Sequence, residues 1–175
     1  QFKTDGRPGS HRVYPTIYKE TRVNGSDRLH MAFGGYRQVD QSIRHWYLED
    51  GAYYDSHGNY IQDEDEPITE WDLITKVRDW TDDHWTDSPK LMDLVVHNGE
   101  PYVAYEDIKR ISSDGGDGDY RAGWSRYDSD ANEWITGSEI VEMGGALPES
   151  GPEAGLYHKG GLRMDSQDPT TIFVS

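Results

Sequence analysis

Short apolar and aromatic runs alternate with Gly-, Asn- and Asp-rich breaks along this chain, in one order that recurs. In the clearest instance Leu91-Met92-Asp93-Leu94-Val95-Val96 is followed by His97-Asn98-Gly99 and then by Glu100-Pro101-Tyr102-Val103-Ala104-Tyr105. A polar, Gly-rich stretch from Glu106 to Asp119 leads into Tyr120-Arg121-Ala122-Gly123-Trp124-Ser125-Arg126-Tyr127. Aromatic and β-branched runs bounded in this way predict strands, and an Asn-Gly pair between two of them predicts a tight hairpin. The pattern therefore reads strand, tight turn, strand, long loop, strand.

The same grammar stands upstream, where Val13-Tyr14-Pro15-Thr16-Ile17-Tyr18 precedes Asn24-Gly25-Ser26 and Arg28-Leu29-His30-Met31-Ala32-Phe33. It stands downstream too, where Gly161-Leu162-Arg163-Met164 precedes Asp165-Ser166-Gln167-Asp168-Pro169 and Thr171-Ile172-Phe173-Val174-Ser175. Phe33 and Tyr105 are 72 residues apart, and Tyr105 and Ser175 are 70 apart. A fixed period of this size marks a repeat architecture. The predicted fold is all-β, a β-propeller of four-stranded antiparallel blades. The 175 residues would supply about two and a half blades. Propellers close with about four to eight blades, so the expectation is a segment of a larger propeller, with the rest of that propeller as its first partner. Alone it would leave unpaired strand edges.

Blade one is expected over residues 11–62, an inter-blade segment over 63–88, blade two over 89–143 and the start of blade three over 144–175. Residues 1–10 read as a connector. In blade one a third strand, Ser42-Ile43-Arg44-His45-Trp46-Tyr47-Leu48, leads through Glu49-Asp50-Gly51 to Ala52-Tyr53-Tyr54 and a second turn at Ser56-His57-Gly58-Asn59. The run Asp63-Glu64-Asp65-Glu66-Pro67 reads as an exposed loop of mutually repelling charges, with a Ca²⁺ site as the lesser reading. Residues 68–85 carry Ile68, Trp71, Leu73, Ile74, Val77 and Trp80 without a decisive period; they fit a short amphipathic helix, or an outer strand and a loop, and irregular structure with a helical turn is the expectation. Glu139-Ile140-Val141-Glu142 is the expected outer strand of blade two.

Charge changes the picture of partners. The net charge is −16, from 33 acidic and 17 basic side chains. Duplex nucleic acid and anionic membranes are poor partners for such a surface. Its plain meaning is a well-solvated exterior; its sharper meaning is adaptation to high salt, where the Debye length falls to ~3 Å at 1 M. No apolar run is long enough to span a membrane. There is no cysteine, which removes disulfides and thiolate metal sites.

The Tyr-Pro-Thr opening strand (Tyr14 to Thr16), the Gly99 to Tyr105 strand, and the closing Tyr157-His158-Lys159-Gly160-Gly161-Leu162-Arg163 with Asp168 to Ser175 resemble the BNR-repeat, sialidase-like β-propeller proteins. Within those they look most like the branch that includes ulvan-type polysaccharide lyases. The Asp-box is degenerate: Ser129-Asp130-Ala131-Asn132-Glu133-Trp134 keeps the Asp and the Trp and lacks the usual Gly. The resemblance implies about seven blades, a secreted protein, and an acidic, uronate-containing polysaccharide as partner.

In such blades two kinds of loop reach one face, those leading into the innermost strand and those joining the second strand to the third. The first kind carries His11, Arg12, Lys90, His158 and Lys159; the second carries Arg37, Lys109, Arg110 and Arg121. Basic groups gathered at one rim of an acidic chain suit an anion-binding mouth, because clefts focus the field. Their plainer role is that of solvated surface cations. The resemblance implies a Tyr and an Arg from one blade and His from its neighbour, and Tyr105, Arg121, His45 and His30 are the matching candidates. Arg121 would neutralise a uronate carboxylate while Tyr105 and His45 exchange protons with C5 and the departing O4, with His30 the second choice of histidine. The substrate-binding candidates are Arg37, Lys109, Arg110, His158 and Lys159. His30 alternates with apolar neighbours and reads equally as a packed structural histidine, and Tyr105 as an ordinary strand residue. No spacing singles out a metal set, and a structural Ca²⁺ or Zn²⁺ stays open.

The expected function is thus β-elimination on an acidic polymer. Two other readings stay open: a sialidase-type glycoside hydrolase, which needs three Arg and a Tyr/Glu nucleophile pair such as Tyr105 or Tyr120 with Glu106, and a non-catalytic carbohydrate-binding propeller.

Overall fold

A computed structural model of the chain describes residues 14–34, 42–79, 90–110, 118–137, 141–142 and 162–174. Every strand pair in it is antiparallel, and the one helical piece among the described residues is a 3-10 turn at Trp71–Leu73. No helix among those residues is long and apolar enough to cross a membrane. The all-β expectation and its antiparallel pairing hold.

The first sheet is a meander of β1 (Tyr14–Thr21), β2 (Asp27–Gly34), β3 (Ser42–Glu49), β4 (Ala52–Asp55) and β5 (Tyr60–Asp63). A further strand, β6 (Thr75–Asp79), also pairs with β3. The second half of β3 is taken by β4, from Trp46↔Asp55 to Glu49↔Ala52, and its first half by β6, from Ser42↔Asp79 to His45↔Thr75. Two short strands therefore share the fourth position. The cause lies in Asp55, whose carboxylate accepts from the backbone N–H of His57 and of Asn59 and from the Asn59 amide. With Gly58 at φ 82, this turns the chain away from β3.

The second sheet repeats the plan with β7 (Lys90–His97), β8 (Glu100–Arg110), β9 (Gly118–Asp128), β10 (Glu133–Thr136) and β11 (Val141–Glu142). Here β10 pairs with β9 at Ser125 to Asp128, and β11 pairs with it at Arg121 and Ala122. Asp128, not Asp130 of the degenerate box, ties the β9–β10 turn by accepting from the N–H groups of Asp130 and Ala131. A third hairpin, β12 (Leu162–Met164) with β13 (Ile172–Val174), begins the pattern again.

Two readings of the sequence change. The stretch from Glu106 to Asp119 is not all loop, because the β8–β9 ladder runs on to Arg110↔Gly118. Backbone pairing satisfies N–H and C=O groups whatever the side chains are, whereas polarity along a sequence reports burial. The segment 63–88 also supplies a strand, β6, after the expected helical turn.

The sheets stack. Ala32, Ile43 and Val77 of the first meet Leu91, Leu94, Val103 and Tyr105 of the second. The opposite face of the second, with Val95, Tyr102, Ala104 and Ala122, meets Leu162 and Met164 of the third hairpin. Both faces of β7 and β8 are thus covered, which is why Leu94-Val95-Val96 and Tyr102-Val103-Ala104-Tyr105 read as continuous apolar runs rather than alternations. The turn His97-Asn98-Gly99-Glu100 has positive φ at Asn98 (52) and Gly99 (81), the geometry that suits strand twist and that Asn-Gly adopts at low cost.

Candidate functional site

Register brings the two histidines together. Ala32 opposes His45 and His30 opposes Tyr47, so His30 and His45 lie on one face two residues out of step across β2 and β3. That face is turned into the layer between the sheets, where each histidine is 1% exposed. The Nδ1 of His30 stands 3.1 Å from the Nε2 of His45, with the rings stacked at 5.3 Å. On one side, His30 Nε2 lies 3.1 Å from Glu20 Oε2. On the other, His45 Nδ1 lies 2.9 Å from Ser56 Oγ, which also accepts from Trp134 Nε1 of the second sheet at 3.0 Å.

The carboxylate end of this row, with both rings neutral, fixes the ring protons, because a carboxylate only accepts. His30 Nε2–H donates to Glu20, His45 Nε2–H donates to His30 Nδ1, and His45 Nδ1 is left to accept from the Ser56 hydroxyl, whose oxygen accepts from Trp134 and also lies 3.4 Å from the His45 carbonyl. Both histidines are neutral Nε2–H tautomers. Desolvation agrees: it pushes His30 down from its ordinary 6.5 against the pull of Glu20, and it pushes His45 well down, helped by His30 and Arg28. The hydrogen bond from His30 holds Glu20 below the ordinary carboxylate value. The Glu20–His30 contact is accordingly a hydrogen bond from a neutral ring and not an ion pair. Arg28 lies over the Tyr47 ring at 4.1 Å and pairs with Glu49 at 2.8 Å, so its charge is compensated beside the row.

Tyr105 is also interior, 2% exposed. Its hydroxyl donates to the Trp124 carbonyl at 3.3 Å, and Ser125 Oγ and Arg78 Nη1 both lie 3.4 Å from it. Its ring lies over bare backbone at Gly123. Arg121 stands in β9 opposite Asp107 and Glu142, and Lys109 and Arg110 close β8 opposite Asp119 and Gly118. Arg37, His158 and Lys159, with His11 and Arg12, lie outside the described residues. His57, in the turn after β4, is exposed and has its Nδ1 3.2 Å from the Tyr127 hydroxyl across the sheets. Among the described residues no group of three or more His, Asp or Glu side chains is arranged to hold a metal ion.

The structure therefore joins His30 to His45 and gives Tyr105 a separate polar setting at Arg78 and Ser125. Glu20, Ser56 and Trp134 escaped sequence reasoning. They lie 10, 11 and 78 residues from their hydrogen-bond partners, and nothing in their local pattern distinguishes them. When the chain is compared with protein-family models and with curated proteins, none matches.

Proposed function

We propose that this chain forms successive blades of a BNR-type, sialidase-like β-propeller that acts on an acidic, uronate-containing polysaccharide by β-elimination. The supporting observation is that one plan, three long antiparallel strands and a fourth position shared by two short strands, occurs in both sheets, which stack face to face. With β1 packed along β7, the β2–β3 and β8–β9 connections leave from like ends of the sheets. Lys109 and Arg110 stand at that end, with the connection containing Arg37 leaving β2 there. This end is the mouth in the present reading.

Elimination needs a cation on the uronate carboxylate, because removing the C5 proton places charge there. Arg121 is assigned that part, with bidentate geometry available to a guanidinium and not to an ammonium. Tyr105 and His45 are assigned proton exchange with C5 and the departing O4, with His30 the second choice of histidine. Lys109, Arg110 and Arg121 in the strands at that end of the sheets would offset the net charge of −16 locally, with added salt screening the remainder.

A second reading, binding without chemistry, is favoured by one specific observation. His45, His30 and Tyr105 are each almost fully buried with their polar atoms engaged by protein, whereas a general base works within hydrogen-bond reach of its substrate.

The deciding experiment offers uronate polymers to the protein and to its Arg121→Ala and Tyr105→Phe variants, in moderate and high salt. The expected result is the ultraviolet band of an unsaturated uronate, reduced about 100-fold or more in Arg121→Ala. New reducing ends without that band would mean hydrolysis. Binding with neither product would mean a carbohydrate-binding module.

A further inference from the structure

The contact between stacked sheets is built the same way twice within the chain. Each time, a cross-strand pair of apolar side chains seats against the sheet that comes before it. Leu94 with Val103 seats against the first sheet, and Met164 with Ile172 against the second. The next residue along each second strand points to the other face, since side chains alternate. Thus Ala104 follows Val103 and is covered by the third hairpin.

In the first sheet the corresponding pair is Ile17 with Met31. Met31 precedes Ala32, which is covered by the second sheet, so Ile17 and Met31 face away from it. Leu94 and Val103 are 2% and 0% exposed, whereas Ile17 is 59% exposed and Met31 is half-buried. The other end of the stack has its own open member. Phe173 follows Ile172 as Ala104 follows Val103, so it points away from the second sheet, and it is 59% exposed. One face of each kind therefore lacks the covering layer that its counterparts have inside the chain.

We propose that a second copy of this chain supplies that layer, with the Phe173 face of its third hairpin seated on the Ile17 and Met31 face of the first sheet. The occupant follows from continuity: both layers within the chain join a face of the first kind to a face of the second. The contact joins unlike faces, so it either closes a ring of copies or adds them end to end. It rests on the repeated stacking and makes no use of the proposed chemistry. Each copy carries a net charge of −16, so repulsion opposes the contact and high salt favours it.

The test is analytical ultracentrifugation of the full chain in high salt over a range of concentrations. The wild type is expected to associate. Ile17→Lys should weaken association about tenfold or more, and Phe173→Ser likewise. Both side chains are exposed in the single copy, so both variants should keep its fold, which an unfolding midpoint at low concentration checks. Mixing the two variants restores one intact contact, between Phe173 of the Ile17→Lys chain and Ile17 of the Phe173→Ser chain. The mixture should therefore form a pair that neither variant forms alone. A wild type that stays monomeric overturns the proposal, as does association that neither substitution weakens. Weakening by only one of them, or no recovery on mixing, overturns the joining of unlike faces. Failure of the lyase reading shows elsewhere, as absence of unsaturated product.

Discussion

The Nε2 of His45 stands 3.1 Å from the Nδ1 of His30, and that contact lies in the layer that joins one sheet to the next. Because Glu20 only accepts, a neutral His30 and a neutral His45 each carry their proton on Nε2, while Trp134 donates to Ser56 at the other end of the row. Stacked sheets are held by non-directional apolar burial; this row adds a directional requirement, since sliding one sheet would separate Trp134 from Ser56.

That arrangement makes stability depend on pH. Both histidines titrate lower in the folded chain than their ordinary 6.5, so the unfolded chain binds more protons as pH drops below about that value. Their contribution is complete above it and is lost as pH falls toward and through the folded-state values. Denaturant titrations across mildly acidic pH should show stability falling by about 1.4 kcal/mol per pH unit for each histidine. His30→Gln with His45→Gln should flatten that slope.

Trp134→Phe keeps a ring against His45 and removes the donor to Ser56. A loss of about 1 kcal/mol is expected. Ser56→Ala removes the same bond from the other side, so a double-mutant cycle should give a coupling of about 1 kcal/mol. Strict additivity would show that the bond does not form.

Gly123→Ala places a Cβ on the Cε2 and Cζ atoms of the Tyr105 ring, which has no room to withdraw. The expected cost is about 1–3 kcal/mol, read from the denaturation midpoint. Tyr105→Leu in the same background should recover part of it.

Asp93 is 6% exposed and fastens the third hairpin, accepting from the Met164 N–H at 2.9 Å and from Arg163 at 3.0 Å. Arg163 is largely in water, so most of the stabilisation lies in the buried N–H. Asp93→Ala leaves that donor unpaired, at a cost of about 1–3 kcal/mol. Hydrogen exchange should accelerate at Met164 before it does at Val103 in the centre of β8.

Much of the fold could be read from order along the chain. Asn98-Gly99 and Asp50-Gly51 announced their turns because few other pairs accept positive φ at both positions. The strands around Val103 and Ala32 were visible as apolar runs. Ladders continuing through polar residues, such as Lys109↔Asp119, were not visible, because hydrogen bonds between backbones leave no mark on side-chain type. The site was less legible. His45 and His30 could be named as chemically interesting, but their contact depends on Ala32 opposing His45, and register lies in the pairing of two segments rather than in either one.

By itself, the sequence determined the all-β character, the hairpins and the repeat of about 70 residues, since each follows from local backbone preference and the alternation of buried and exposed positions. The tertiary structure decided that Glu20, His30, His45, Ser56 and Trp134 form one row, that β4 and β6 share the edge of β3, and that Tyr105 faces Arg78. The Ser56–Trp134 and Arg78–Tyr105 contacts come from stacking one sheet on another, and the rest from strand register and the Asp55 turn within the first sheet; neither the stacking nor the register is encoded by local preference.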